Sequence, residues 1–348
     1  MKALVYNGPQ TIAFEQRPKP IIQESTDAVV RVLHTSICGT DLHILKGDVP
    51  TVAKGRILGH EGVGVIDSLG SAVSGLQKGD KVLISCVSAC GVCGPCRKGL
   101  CSHCSYGGWI LGNTIDGLQA EYARIPHATS SLYGLSDKID LRTAVVLSDA
   151  FPTALECGTL SAHVQPGNTV VIIGAGPVGM AALMTARMYS PSLVVVVDTN
   201  DARLEAAKVF GAHETINSAR GDPKKALMEL VNGQGYDSVI EAVGIPATFE
   251  LCQEIIAVGG SIANLGVHGR PVELHLEKLW DRNINIRASL VDATTTPMLL
   301  RLFDTGQLDG KPLITHVFPF DDVLKAYETC KAAAQEKAMK IVIDIAEN

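Results

Sequence analysis

The sequence predicts an α/β chain of two domains, a partly open β-barrel and a doubly wound parallel sheet. Three observations carry this. The 348 residues, 46% hydrophobic and 19% charged, exceed what one ordinary core organises. Short β-branched runs and tight turns fill roughly the first 150 residues, which is barrel texture. Strand and helix patterns then alternate from Pro152 to about Leu290, as a parallel sheet requires. The expected boundaries are 1–150 with 291–348 for the barrel and 151–290 for the sheet.

In the barrel, Met1–Tyr6 enters a strand-like run at once, with no apolar stretch or cleavage site of a secretory leader, so a cytoplasmic location is expected. Val29–Leu33, Gly62–Ile66 and Lys81–Ile84 are the next strands, punctuated by Asn7-Gly8-Pro9 and Lys78-Gly79-Asp80. A formal charge of −6 and the lack of any Lys/Arg block argue against nucleic acid or an anionic membrane as partner. Val170–Ala186 is apolar, but Gly174, Ala175, Gly176, Pro177 and Gly179 interrupt it, so it reads as strand, turn and helix.

In the sheet, Val170–Ile173 precedes a helix to Tyr189, and Leu193–Val197 precedes one from Asp201 to Phe210. Ser238–Glu241, a helix near Thr248–Ala257 and Ser261–Leu265 follow. A helix around Asp321–Lys337 and a strand Lys340–Ile345 close the chain, the strand returning to the barrel.

Val170–Gly179 is a strand running into Gly174-x-Gly176-Pro177-Val178-Gly179 and a helix. Gly174 permits the tight turn, Gly176 lets backbone approach a pyrophosphate, and Gly179 lets helix and strand pack closely. Asp198 ends the next strand, nineteen residues after Gly179. A carboxylate there accepts ribose hydroxyls and repels a 2′-phosphate, so the expected cofactor is NAD(H), with Arg203 over the adenine. The competing readings are a sheet for FAD or a methyl donor, or Asp198 as a helix cap; the cap leaves the glycines unexplained.

Of ten cysteines, Cys90, Cys93, Cys96 and Cys104 crowd into fifteen residues with x2, x2 and x7 spacing. Four thiolates from one loop close a tetrahedron around a structural zinc; iron–sulfur ligation and a disulfide pair are more distant alternatives. Cys101 lies off that spacing. Cys86, Cys157, Cys252 and Cys330 sit in apolar surroundings and read as inert core.

Ser36-Ile37-Cys38-Gly39-Thr40-Asp41-Leu42-His43 and Gly59-His60-Glu61-Gly62 place a thiolate and an imidazole on separate segments, ligand types that zinc accepts. With the cysteine cluster and the glycine-rich strand in the same order, the chain resembles the zinc-dependent medium-chain alcohol dehydrogenases, on the secondary-alcohol/carbonyl-reductase side, over nearly its whole length. The resemblance implies a GroES-like barrel domain beside a Rossmann domain. It also implies catalytic zinc on Cys38, His60 and Asp149, where many relatives have cysteine at the last position. Glu61 is then a fourth ligand or a group that swings on and off, and Asp41 orients His60. The metal holds the substrate oxygen while hydride passes to or from the nicotinamide. Thr40 takes the proton and passes it by the cofactor ribose to His43. His34, His127, His163, His213, His268 and His275 match no motif and read as structural.

By the same analogy Thr153, Val243, Val267, Ala288 and Leu290 face the nicotinamide. Trp109, Phe151 and Leu290, with Thr40, line the substrate pocket, although Trp109, Phe151 and Leu290 read equally as core. Two zinc ions per subunit, a small alcohol, ketone or aldehyde substrate and a homo-oligomer (tetramer or dimer) are expected. Two other functions stay open: a polyol or amino-alcohol dehydrogenase on the same scaffold, and a dinucleotide-binding protein without catalysis.

Overall fold

The computed structural model describes residues 1–346. The chain divides into two compact units: Met1–Asp149 with the chain from Asp292 onward, and Ala150–Val291. Along the first run lie β1 (Lys2–Gly8), β2 (Thr11–Gln16), β3 (Ala28–Ile37), β4 (Arg56–Ile57), β5 (Gly62–Leu69), β6 (Lys81–Ile84), β7 (Tyr122–Ile125) and β8 (Leu132–Gly134). The second unit holds β9 (Thr169–Ile173), β10 (Leu193–Asp198), β11 (Glu214–Asn217), β12 (Tyr236–Glu241), β13 (Ile256–Asn264) and β14 (Asn285–Ala288). The last part of the chain adds β15 (Ile314–Pro319) and β16 (Lys340–Asp344).

The first unit is the GroES-like barrel. Its seven-stranded sheet runs β15-β16-β3-β5-β6-β8, with β7 also on β3, and a smaller sheet runs β2-β1-β4. β3 is long and buried because Val29, Val30, Val32 and Leu33 are all apolar, so a strand hydrogen-bonded on both sides can sink into the core. β16 pairs antiparallel with it, Ile341 opposite Ile37, so the chain's last strand returns to the barrel as expected.

The second unit is a Rossmann fold. Its six strands are parallel in the order β11-β10-β9-β12-β13-β14. The order reverses between β9 and β12, and ligands bind outside the carboxyl ends of strands at such a point. Val171, Val195, Val197, Val239 and Ile262 interlock with Phe249 and Ile255 of the helix Pro246–Ile255 beneath one face.

Helix ends depart from the sequence reading by a few residues. The helix expected at Thr248–Ala257 spans Pro246–Ile255, because β13 begins at Ile256 with no linker. The one expected at Asp321–Lys337 is α-helical only over Val323–Lys331. Turns follow, and Lys337 at φ 54° reverses the chain into β16. Periodicity also left β11, β14 and the π-helical turn Ala154–Leu160 unforeseen. No helix among the described residues is long and apolar enough to cross a membrane.

The six histidines read above as structural hold structural bonds. His34 meets Asp344 at 2.8 Å, His163 meets Ser261 at 3.1 Å, and His213 accepts the Val194 N–H at 2.8 Å. His127 meets the Tyr106 carbonyl at 3.0 Å, His268 meets Asn264 at 2.8 Å, and His275 lies 3.3 Å from Glu250.

Candidate active site and metal centres

Cys38 ends the loop after β3 and caps the helix Gly39–Lys46. Asp41, in the first turn, folds back to accept the Cys38 N–H at 2.9 Å, which ties down the backbone of the Cys38 loop. His60 and Glu61 stand just before β5. Asp149 is drawn to them by its neighbour: the Ser148 hydroxyl exchanges two hydrogen bonds with the Gly62 backbone, each 3.0 Å. One ligand atom from each of Cys38, His60, Glu61 and Asp149 then lies within 4.8 Å of the others.

Asp149 Oδ2 is 3.7 Å from His60 Nε2 and 3.8 Å from Cys38 Sγ. Ligands at zinc bond lengths in a tetrahedron are about 3.4–3.8 Å apart, so these atoms fit a shared ion. Electrostatics agree. Burial works against charge on His60, yet its bonds to Asp149 and Cys38 outweigh that and hold the imidazole well above its usual range. A buried group of acids and a thiol thus asks for a cation. Burial also lifts the Asp41 carboxyl to about 6, against the pull of His60.

Glu61 is set differently from the other three. One oxygen takes the Ser36 hydroxyl and the Lys340 ammonium; the other, Oε1, is buried with no partner among the described residues. Beneath the cluster, Tyr327 donates to Gln119 at 2.8 Å, and the Gln119 amide donates to Asp41 at 3.3 Å. Gln119, Tyr327 and Lys340 escaped the sequence reading because they belong to no motif, and Ser36, inside the Cys38 motif, was given no role. Their common signal is a polar group inside an apolar run, which becomes informative only when its partner is known.

Thr40 lies beside the cluster, its Oγ1 3.6 Å from Cys38 Sγ, and His43 follows one helical turn later. Trp109 sets its ring edge-on to His60, centroids 6.1 Å apart, with its indole N–H buried and unbonded. It therefore walls the group of Cys38, His60, Glu61 and Asp149. Phe151 is fully buried in the other unit.

The second cluster is Cys90, Cys93, Cys96 and Cys104, again within 4.8 Å. Cys93 and Cys104 Sγ are 3.9 Å apart, and the Cys104, Cys90 and Cys93 sulfurs accept N–H groups from Cys90, Cys93 and Ser105. Those of Cys96 and Ser105 pull the Cys93 thiol down to about 6, and burial pushes Cys96 up. Around them Val92 and Tyr106 are 65% and 71% exposed, so the lobe has little core to hold it closed.

In the Rossmann unit, Gly174 has φ 107°, and a Cβ there would meet Val243 at 2.7 Å; one on Gly179 would strike the Gly174 carbonyl at 1.9 Å. Around Gly176 there is open space. A cleft of about 710 Å³ opens there, lined by Gly174, Gly176, Asp198, Arg203 and Val243 together with Ser218, Lys224 and Thr248. Asp198 Oδ2 accepts the Ala175 N–H at 2.7 Å and Oδ1 the Asn200 N–H at 2.8 Å. Asn200, rather than Asp198, caps the helix Asp201–Val209, which removes capping as the reason for this carboxylate. Arg203 Nη1 lies 4.0 Å from Asp198, and its Nε is buried without a partner. Val267, Ala288 and Leu290 are exposed and Thr153 is half-buried; none of them, nor Pro177, Val178 or Gly179, lines this cleft.

Comparison with known proteins agrees with this picture. Residues 24–135 match the alcohol dehydrogenase GroES-like domain and residues 177–305 the zinc-binding dehydrogenase domain. An alcohol dehydrogenase of Cupriavidus necator is 34% identical, covering 99% of this chain and 98% of its own. The chain belongs to the zinc-dependent medium-chain alcohol dehydrogenase family. As a member it is an oxidoreductase of the alcohol dehydrogenase type. Among solved structures, zinc-dependent alcohol dehydrogenase 2 from Streptococcus pneumonia superposes with a TM-score of 0.94 at 50% identity, each chain covered completely. The alcohol dehydrogenase TADH of Thermus sp. ATN1 gives 0.92 at 31%, covering 99% of this chain and all of its own. Lys340 and Ser36 join the residues around the site, because each engages the Glu61 carboxylate by its side chain.

Proposed function

We propose that the chain interconverts small secondary alcohols and ketones with NAD(H), using one zinc ion at Cys38, His60 and Asp149 and a structural zinc at Cys90, Cys93, Cys96 and Cys104. The observation that carries it is the buried quartet in which Glu61 is shared with Lys340 while one of its oxygens has no partner among the described residues. Cys38, His60 and Asp149 would hold the ion, with Glu61 beside them as a further carboxylate. Zinc bound there supplies a Lewis acid for the substrate oxygen, and the nicotinamide gives or takes the hydride.

The chain's own residues do the rest. Asp41 orients the Cys38 loop, Trp109 walls the cluster, Thr40 takes the alcohol proton, and His43 delivers it to water. The Ala175 N–H holds Asp198 at the cleft, where its charge opposes a 2′-phosphate and its remaining lone pairs suit ribose hydroxyls. A cytoplasmic homo-oligomer is the expected form.

The experiment is NADH oxidation with a small methyl ketone at neutral pH, before and after chelation and zinc replacement, with NADPH, an aldehyde and a polyol in parallel. Activity lost with metal and restored by zinc supports the reading. Turnover indifferent to metal rejects it, a preference for NADPH rejects the role of Asp198, and faster turnover of the polyol moves the substrate class.

A further inference from the structure

We infer that Asp48 is the positioning residue of His43 and sets the tautomer in which that histidine takes up the proton leaving the alcohol. The inference rests on the relay role proposed for His43 and adds a partner to it. The helix Gly39–Lys46 stops at Gly47, whose φ of 88° only glycine adopts without strain. The Gly47 N–H returns to the Ile44 carbonyl and the Asp48 N–H to the His43 carbonyl, each at 3.0 Å. This reversal sets Asp48 Oδ2 2.9 Å from His43 Nδ1.

An ionised carboxylate only accepts hydrogen bonds, so Nδ1 carries the hydrogen and Nε2 keeps the lone pair. A base must present that lone pair before it can act. Without the carboxylate both tautomers are open to an imidazole in water, and one of them is inert at Nε2. The balance is simple: alcohol and NAD⁺ give ketone, NADH and one proton. That proton leaves the substrate hydroxyl, reaches Nε2, and departs to water when the imidazolium deprotonates. The two side chains are 26% and 37% exposed, so water reaches the pair, and an exposed pair contributes little to folding. Substitution at Asp48 therefore leaves a folded protein to measure.

The test compares Asp48→Asn, Asp48→Glu and His43→Ala in the zinc-loaded protein, by side-chain nitrogen NMR of ¹⁵N-labelled histidine and by steady-state kinetics of alcohol oxidation. In Asp48→Asn the amide can donate to Nδ1, so His43 should move toward the Nε2–H tautomer. kcat should fall roughly tenfold to a hundredfold, the scale on which outer-shell partners of metal-bound histidines act, while the KM for NAD⁺ stays put. Asp48→Glu should restore both signatures, and a small buffer base at high concentration should rescue Asp48→Asn. An unchanged tautomer, or a kcat loss shared by KM and not restored by glutamate, overturns the inference. Full turnover in His43→Ala overturns the relay and the inference with it. Slow His43→Ala beside wild-type Asp48→Asn overturns the inference alone.

Discussion

The ammonium of Lys340 and the carboxylate of Glu61 form an ion pair almost wholly removed from solvent, their side chains 3% and 1% exposed. Lys340 opens β16, whose next residue pairs with Ile37 beside Cys38, so this strand delivers a cation to the Cys38–His60–Glu61–Asp149 cluster. Burial lowers the lysine's affinity for its proton, but Glu61 outweighs burial and keeps it charged.

Removing the lysine leaves a buried carboxylate without its partner. Lys340→Ala should cost about 3–5 kcal/mol, as broken buried pairs do. Lys340→Met combined with Glu61→Gln should recover much of that. Urea unfolding of the zinc-loaded variants measures both, and a single-variant loss below about 1 kcal/mol would show that the pair does not hold this site together.

On the proposed reading, Asp198→Gly removes the charge that opposes a 2′-phosphate. Like-charge juxtaposition costs several kcal/mol, so the NAD⁺/NADP⁺ ratio of kcat/KM should fall on the order of a hundredfold. Since Asp198 also takes the Ala175 N–H, KM should rise somewhat for NAD⁺. An unchanged ratio would place cofactor choice elsewhere in the cleft.

Cys96→Ser removes one of the four thiolates proposed to hold the structural zinc. One equivalent of zinc should be lost, and the segment 90–104 should become the first site of limited proteolysis, because Val92 and Tyr106 give the lobe no core. Metal analysis and mass spectrometry of the fragments decide it. Retained zinc would argue that three thiolates suffice.

His34 gives stability a pH dependence. Burial lowers its pKa despite the bond to Asp344, so on acidification the unfolded chain takes up a proton before the folded one does. The contribution is full above the ordinary histidine value and is lost as pH falls below it, with a slope of at most about 1.4 kcal/mol per pH unit. His34→Gln should flatten that limb in urea titrations against pH; a variant that tracks the wild type would remove His34 from the account.

Much of the site is legible as spacing. Cys90, Cys93, Cys96 and Cys104 are neighbours in the chain, so their meeting needs only a short loop, and Gly174 to Gly179 act within one strand–turn–helix. The helix ends were less legible: Ile256 starts a strand directly after Ile255 because sheet pairing, a distant interaction, overrides local preference. Asp48 was missed for a subtler reason. Its bond to His43 depends on the left-handed turn at Gly47, and a glycine–aspartate pair after a helix announces a stop without saying where the carboxylate lands.

By itself the sequence determined the β-rich and the strand–helix-alternating halves, the glycine-rich turn and the four-cysteine spacing, because these follow from residue type, periodicity and short-range spacing. The grouping of Cys38, His60 and Asp149 came only from the resemblance to a family. Only the tertiary structure decided what Glu61 is paired with, why Asp198 is free of helix capping, and which polar groups stand behind Asp41. Those are contacts between strands and loops remote in the chain. A buried lysine reads as an ordinary lysine until the fold takes away its water and leaves Glu61 as its counter-ion.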